Sequence, residues 1–235
     1  MGKEILNIEN LSKSFGGLKL FEGVTFSLRE GTINSLLGSN GSGKTTFFNL
    51  IGGYEKPDTG KIHFNGVTVK THNEFALAKA GIGRMWQDPT IFPNHTVLEN
   101  LLVSAKHHPG ESLFNYVFRQ RLIKNTESVL RQNAMSVLKK LGLSEKAEQL
   151  AGSLSLGEKK LLSISMLLMN DARLLLLDEP FSGVNPGTIE KISQCLITLK
   201  QEGKTIFMIE HKIRFAEAIS DRLFKIENNN IHELN

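Results

Sequence analysis

Between Gly38 and Thr45 the chain reads GSNGSGKT, which satisfies G-x-x-x-x-G-K-[ST] between a strand-like run, TINSLLG, and a helix-like one, TFFNLIGG. Glycines at this spacing let consecutive backbone amides turn toward phosphate oxygens. Ser39, Asn40, Gly41, Ser42, Gly43 and Thr46 would form the cradle, Lys44 reaches β and γ phosphates, and the Thr45 hydroxyl can ligate Mg²⁺. A second chemical group stands far along the chain, where the apolar run LLLLDE ends in Asp178 and Glu179. Strand ends are where an α/β sheet places its ligand chemistry. Asp178 fits a partner of Mg²⁺ through water, and Glu179, on the other side of the pleat, can accept a proton from an attacking water. The plain alternative for two acids here is a helix-capping turn. With the glycine loop, the pair points instead to nucleotide hydrolysis. A third stretch, SLSLGEKK from Ser153 to Lys160, leads into the apolar-periodic LLSISMLL and reads as a turn whose amides can hold an anion. The chain thus carries two anion sites.

These groups need a scaffold, and the hydrophobic pattern supplies one. ILNIEN and VTFSLRE alternate as in a small antiparallel sheet, and GKIHFNG adds a short strand and turn. Asn73 and Glu74 open a helix, EFALAKAG, before the strand GIGRMWQ. From Thr96 the texture becomes helical: Thr96 and Glu99 form a capping-box pattern, and Leu130, Ala134, Val137, Leu138 and Leu141 repeat at helical spacing up to Gly142. A short helix is expected from Ser144. From about Leu161 the α/β alternation returns, with strands RLLLLDE, KTIFMIE and RLFKI and helices from Pro186 and over KIRFAEAIS. The expectation is an α/β core interrupted by a helical insert near residues 92 to 160. Polar Asn34 and Ser35 inside the strand ahead of the glycine loop do not fit its apolar pattern, and Asn228 to Asn230 read as a turn.

The 235 residues carry a formal charge of +4, too modest to mark a nucleic-acid binder, and no aromatic residues interleave with the basic ones. A local excess, from Lys106 through Arg119, Arg121, Lys124, Arg131, Lys139 and Lys140 to Lys146, outnumbers Glu111, Glu127 and Glu145 and is read as a solvated face, with lipid head groups as the alternative. The charged start MGKEILNIEN is no signal peptide, and no run reaches the roughly 20 apolar residues of a membrane span. A cytoplasmic protein is expected. Cys195, the single cysteine, is read as helix core, His95, His107 and His108 as surface residues rather than a metal site, and Trp86 as core or interface filler.

Taken in order, GSNGSGKTT, Gln87, LSLGE, LLLLDEP, SGVN and His211 resemble the motif series of ATP-binding-cassette (ABC) ATPases over nearly the whole chain. The resemblance implies an α/β P-loop NTPase cassette: a RecA-like core over 1–91 and 161–235, an N-terminal antiparallel β subdomain, and a helical subdomain, 92–160, with the signature turn. ATP and Mg²⁺ are the implied cofactors. It further implies that Gln87, whose loop continues through Asp88 and Pro89, reaches Mg²⁺ and the attacking water and senses a membrane subunit. His211, in IEHK, is similar to the switch histidine that holds the γ-phosphate and orients Glu179. Phe15, ahead of Gly16 and Gly17, resembles the aromatic that stacks on adenine, with a core role as the alternative. Ser155 and Gly157 would donate in trans to the γ-phosphate on a partner's loop, so two cassettes close head to tail around two ATPs.

Three positions depart from the family pattern: Leu156 and Glu158 replace the usual glycine and glutamine, and Asn185 the common aspartate. Glu158 puts a carboxylate near a phosphate site, a handicap to closure unless it points away. DPTIFPNHTVLENLLV, EPFSGVNP and the long stretch between Asn100 and Leu141 look most like the branched-chain amino acid importer ATPases, whose relatives include urea and lipopolysaccharide-export cassettes. The chain stops at Asn235, before the tail that importer members often have. The implied partners are a second cassette, identical or paralogous, and transmembrane permease subunits at the inner face of the cell membrane, with no nucleic acid. A soluble ABC protein acting on DNA or ribosomes would usually show a long coiled-coil insert or two cassettes, and neither is present. A catalytically weak cassette is the third alternative, which intact Lys44, Glu179 and His211 oppose.

Overall fold

The computed structural model describes residues 3–70, 74–106 and 120–234, with residues 120–126 as backbone only. Asn73, His107, His108, Glu111 and Arg119, named above, fall outside that set, as do the side chains of Arg121 and Lys124. In chain order the elements are β1 (Glu4–Phe15), β2 (Leu18–Arg29), β3 (Ile33–Leu37), α1 (Lys44–Ile51), β4 (Thr59–Phe64), β5 (Val67–Thr68), α2 (Glu74–Ala80) and β6 (Ile82–Met85). Then come α3 (Val97–Val103), α4 (Gln120–Lys140), α5 (Leu156–Met169), β7 (Leu174–Asp178), α6 (Pro186–Gln201), β8 (Thr205–Ile209), α7 (Ile213–Ile219), β9 (Arg222–Glu227) and β10 (Asn230–Leu234). They gather into two compact units. The first comprises Met1–Gln87, Arg173–Ser182 and Pro186–Asn235, the second Asp88–Ala172 and Gly183–Asn185.

The first unit holds two sheets. One is antiparallel, in the order β2-β1-β4-β5, and the other has six strands in the order β10-β9-β3-β8-β7-β6. In the second sheet β9, β3, β8, β7 and β6 run parallel, and β10 returns antiparallel on β9 through a tight turn at Asn228 and Asn229, both with positive φ. Strands β3, β7 and β8 are buried along their whole length, as the largely apolar strands of a covered parallel sheet should be. The two polar residues of β3 have partners: Asn34 Nδ2 donates to Thr32 Oγ1 at 2.9 Å and to the Ile206 carbonyl at 3.3 Å, and the Ser35 and Ser220 hydroxyls hydrogen-bond to each other at 2.7 Å. They bind this central strand to its neighbours.

Beneath α1 lies a cluster of aromatic rings. Phe207 of β8 sits 5.0 Å from Phe48, 6.3 Å from Phe47 and 5.4 Å from Phe26, ring centre to ring centre. Phe47 and Phe48 belong to the first turn after Lys44, so the same packing that closes the core fastens the helix that follows the glycine loop.

In the second unit α3 packs on α4 and α5, and α4 on α5. Ala134, Leu138 and Leu141 are buried at the expected helical spacing, and Gly142, with φ 71°, ends the run. The predicted capping box forms: Thr96 Oγ1 accepts from the Glu99 amide at 3.1 Å, and Glu99 Oε2 accepts from the Thr96 amide at 2.7 Å. Fully buried Asn100 accepts from the Phe92 amide and donates to the carbonyls of Phe92 and Thr96, pinning the preceding loop to α3. The helix expected at Ser144 is a single 3₁₀ turn over Ser144–Lys146. No helix among the described residues is long and apolar enough to cross a membrane.

Replacing Phe207 by Ala should cost about 3–5 kcal/mol of stability, because it removes the ring that three others contact. Urea unfolding measures this. A loss below about 1 kcal/mol would mean that α1 is held by other contacts.

Candidate active site

The loop ahead of α1 is shaped by its glycines. Gly43, the N-cap of α1, has φ 99°, and a Cβ there would lie 3.0 Å from the Phe21 ring, so only glycine fits. Lys44 is 6% exposed, and its ammonium donates to the carbonyls of Gly38 at 2.9 Å and Ser39 at 2.7 Å. Burial lowers the Lys44 pKa, against the pull of Glu179 and Asp178. A cleft of about 220 Å³ opens here, lined by Asn40, Gly41, Lys44, Thr45, Thr46, Glu179 and His211 among others. Residues far apart in the chain thus meet at one place. Ser39 and Asn40 are exposed at its rim, and Ser42 is half-buried in the loop.

Glu179 sits one residue past β7 in the left-handed region, φ 49°, a conformation that costs a non-glycine residue about 1–3 kcal/mol and is most often kept at functional sites. Its amide donates to the Ile209 carbonyl at 3.0 Å, so β8 holds it in place. Each oxygen of its carboxylate has its own neighbour: Gln87 Nε2 donates to Oε2 at 3.1 Å, and His211 Nε2 lies 3.1 Å from Oε1. Contact of that kind puts the histidine proton on Nε2. Three residues the sequence singled out, from positions 87, 179 and 211, form one constellation.

Asp178 is buried, which raises its pKa, while the Arg84 guanidinium beside it pulls the other way and Glu179 adds to the rise. Arg84 went unremarked in the sequence. Its Nη2 lies 3.5 Å from Asp178 Oδ2, a distance at which charge attraction outweighs hydrogen bonding, and its Nη1 donates to Asn49 Oδ1 at 2.6 Å. The guanidinium lies 3.7 Å from the centre of the Trp86 ring, and Tyr54 meets that indole edge-on at 5.2 Å. Trp86 is therefore a platform for the arginine rather than filler. A charged residue in the short buried strand β6 was the available signal, since such a charge requires a counter-ion. Thr45 hydroxyl, Asp178 carboxylate and Gln87 amide are hard oxygen donors. No group of three or more His, Cys, Asp or Glu placed to hold a metal exists among the described residues, and His95 simply leans on Phe92. That sparse set suits Mg²⁺, which keeps waters and takes much of its coordination from substrate phosphates.

Phe15 is 45% exposed at the end of β1, with Lys13 Nζ 4.6 Å above its ring. The core alternative for Phe15 does not hold.

The second unit carries Ser155, exposed, and Gly157, buried, at the start of α5. Ser155 is the N-cap: its Oγ accepts from the Glu158 amide at 3.4 Å and donates to Glu158 Oε2 at 2.8 Å, and its own amide donates to the same oxygen at 2.9 Å. Glu158 Oε1 accepts from Lys146 Nζ at 2.5 Å. Lys146 and then Ser155 hold the Glu158 carboxyl down at about 2, against the opposing effect of burial. The departure from glutamine thus places a carboxylate that its own helix and one lysine engage. Leu156, the second departure within the turn, lies against Gly183, where a Cβ would come within 2.7 Å of it. Cys195 is buried in α6. Arg131 pairs with Glu148 at 2.8 Å, so part of the basic excess is neutralised locally.

A lysine poised over a glycine loop, facing a carboxylate that can take a proton from water, makes the first unit a P-loop nucleotide hydrolase. Its relatives are more specific. The model of the ABC transporter family matches residues 21–182, and the chain belongs to that family as an ATP-binding cassette. It is 36% identical to a probable branched-chain amino acid transport ATP-binding protein, LivG, of Methanocaldococcus jannaschii, across 97% of this chain and 88% of that one. Among solved structures it matches the ADP conformation of a cassette of an ABC transporter with a TM-score of 0.84 and 36% identity, covering 98% of this chain and 90% of that one. A dimeric cassette in a post-hydrolysis state with ADP and Pi matches with a TM-score of 0.78 and 25% identity, over 98% and 99% of the two chains.

Because Glu158 titrates near 2 rather than at the ordinary 4.5, its stabilising contribution is complete above 4.5 and is lost as pH falls through about 2. Carbon NMR of the side-chain carboxyl should show that low midpoint, and Glu158→Ala should cost about 1 kcal/mol at pH 7 through the lost cap. A midpoint near 4.5 would show that the contacts with Lys146 and Ser155 do not persist in solution.

Proposed function

We propose that in this cassette Glu179 is the base for ATP hydrolysis, held by Gln87 and His211, and that the chain works as one half of a head-to-tail pair in a membrane transporter. The observation that carries this is the engagement of both Glu179 oxygens, each at 3.1 Å, beside the loop that bears Lys44. A carboxylate oxygen has two lone pairs, so contact with one neighbour is compatible with accepting a water proton. Lys44 leaves the loop carbonyls for the β and γ phosphates, while amides of residues 39 to 46 line the phosphate chain. His211, donating from Nε2, can turn to the γ-phosphate and release one Glu179 oxygen as the water is aligned. Thr45, Asp178 through water and the Gln87 carbonyl oxygen would hold Mg²⁺, which supplies charge neutralisation at the phosphate oxygens. Phe15 offers an exposed face to adenine.

Ser155 and Gly157 would serve a partner's γ-phosphate, with the dimeric ADP and Pi relative as support. Permease subunits at the inner membrane face would complete the assembly. Branched-chain amino acids are the cargo the relatives' names favour, and the same names make urea or lipopolysaccharide less apt.

Glu179→Gln should lower turnover by at least about 100-fold while ATP still binds. By light scattering, that variant with Mg-ATP should double in mass from the 26.1 kDa of one chain. A persistent monomer that binds ATP would overturn pairing of identical chains without its permease. Leucine uptake in cells whose chain carries the same substitution should stop, and undiminished uptake would refute the cargo assignment.

A further inference from the structure

Glu210 stands between β8 and His211 and is only 2% exposed. A carboxylate at that depth needs donors on its oxygens. Oε1 accepts the backbone N–H of Phe181 at 2.6 Å, and Oε2 accepts those of His211 at 3.1 Å and Lys212 at 3.4 Å. The two oxygens therefore face two different loops: the one that leaves Glu179 and the one that bears His211. Both loops are otherwise anchored. Phe181 is fully buried, its ring 6.2 Å from Phe215 of α7, and the Glu210 amide donates to the Leu36 carbonyl of β3 at 3.3 Å.

We propose that Glu210 is a positioning residue for hydrolysis, a carboxylate clasp that joins the two loops and thereby sets the 3.1 Å approach of His211 to Glu179. Its chemistry is specific to an acid. Both oxygens meet N–H donors, so glutamine would turn one of these contacts into a donor facing a donor. Aspartate keeps both oxygens but is one methylene shorter and can satisfy one loop at a time. Glu210 touches no substrate and acts through the backbone of its neighbours. A displacement of the order of 1 Å between a base and the group that orients it is enough to slow a reaction by about 100-fold.

Resting as it does on the roles given to Glu179 and His211, the clasp is tested by a cycle that separates the two claims. ATP turnover and ATP affinity of the full-length chain are measured for wild type, Glu210→Gln, His211→Ala and the double variant. Amide hydrogen exchange is followed at Phe181, His211 and Lys212. Glu210→Gln should lose at least about tenfold in kcat with ATP affinity within about twofold of wild type, the split that a positioning role gives. The three amides should exchange faster, and the double variant should be no slower than His211→Ala alone. Losses that multiply in the double variant would show that Glu210 does not act through His211, and the clasp would be refuted. Wild-type turnover in His211→Ala would instead refute the assignment of His211, and the clasp with it. If Glu210→Gln does not fold, Glu210→Asp enters the same cycle and is judged by the same outcomes.

Discussion

Three neighbouring parallel strands, β3, β8 and β7, are paired so that Leu36 lies beside Ile209 and Ile209 beside Asp178. That register brings their carboxyl ends level. The glycine loop leaves β3, Glu179 leaves β7 and His211 follows β8, so one set of ladder hydrogen bonds decides which side chains can meet. A slip of one residue in β8 would reverse its pleat and move His211 along the sheet, which separates it from Glu179. The strands can be read as buried because they are almost wholly apolar. In β3 the polar Asn34 and Ser35 turn to Thr32, to the Ile206 carbonyl of β8 and to Ser220 after α7.

Around this frame the protein handles buried charge in two ways. Asp178 is matched by Arg84, a second charge, which in turn needs Asn49 and the face of Trp86 to satisfy and desolvate it. The Glu210 oxygens accept backbone amides of two loops, donors that carry no net charge. Asp178 faces its cation at 3.5 Å, beyond close hydrogen-bond distance, whereas Glu210 is tied by N–H donors to two loops.

How much of this could be read beforehand follows from whether a residue's task is local. The phosphate loop, the strand ending in Asp178 and Glu179, and the Thr96 cap obey spacing rules within a few residues, and they form as the pattern says. Gln87 and His211 were legible only through the resemblance, because nothing near them in sequence marks them. For Arg84 the only signal was a charge in a short buried strand, and its partner Asp178 lies 94 positions away; Glu210 carried no signal, because the Phe181 amide that makes it a link between loops lies 29 positions away. The hairpin β9–β10 was missed for a different reason: the three asparagines announced the turn, but the polar strand after it carries too little apolar alternation to be seen.

The signature turn shows how a departure from a family pattern can be chemically conservative. A glutamine offers its helix one carbonyl oxygen and one amide. Glu158 offers two oxygens, and its added charge would repel a phosphate if it stayed in solvent. Here one oxygen closes the capping box with Ser155 and the other meets Lys146, so the charge is met by a cation and by the positive end of its own helix. Lys146, at the end of the 3₁₀ turn Ser144–Lys146 in the same unit, reaches it from 12 positions earlier in the chain. The Ser155 hydroxyl, however, is already donating to that carboxylate. Were Ser155 to serve a partner's γ-phosphate as proposed, its hydroxyl would have to exchange one anionic acceptor for another, and the cap itself would be the competitor.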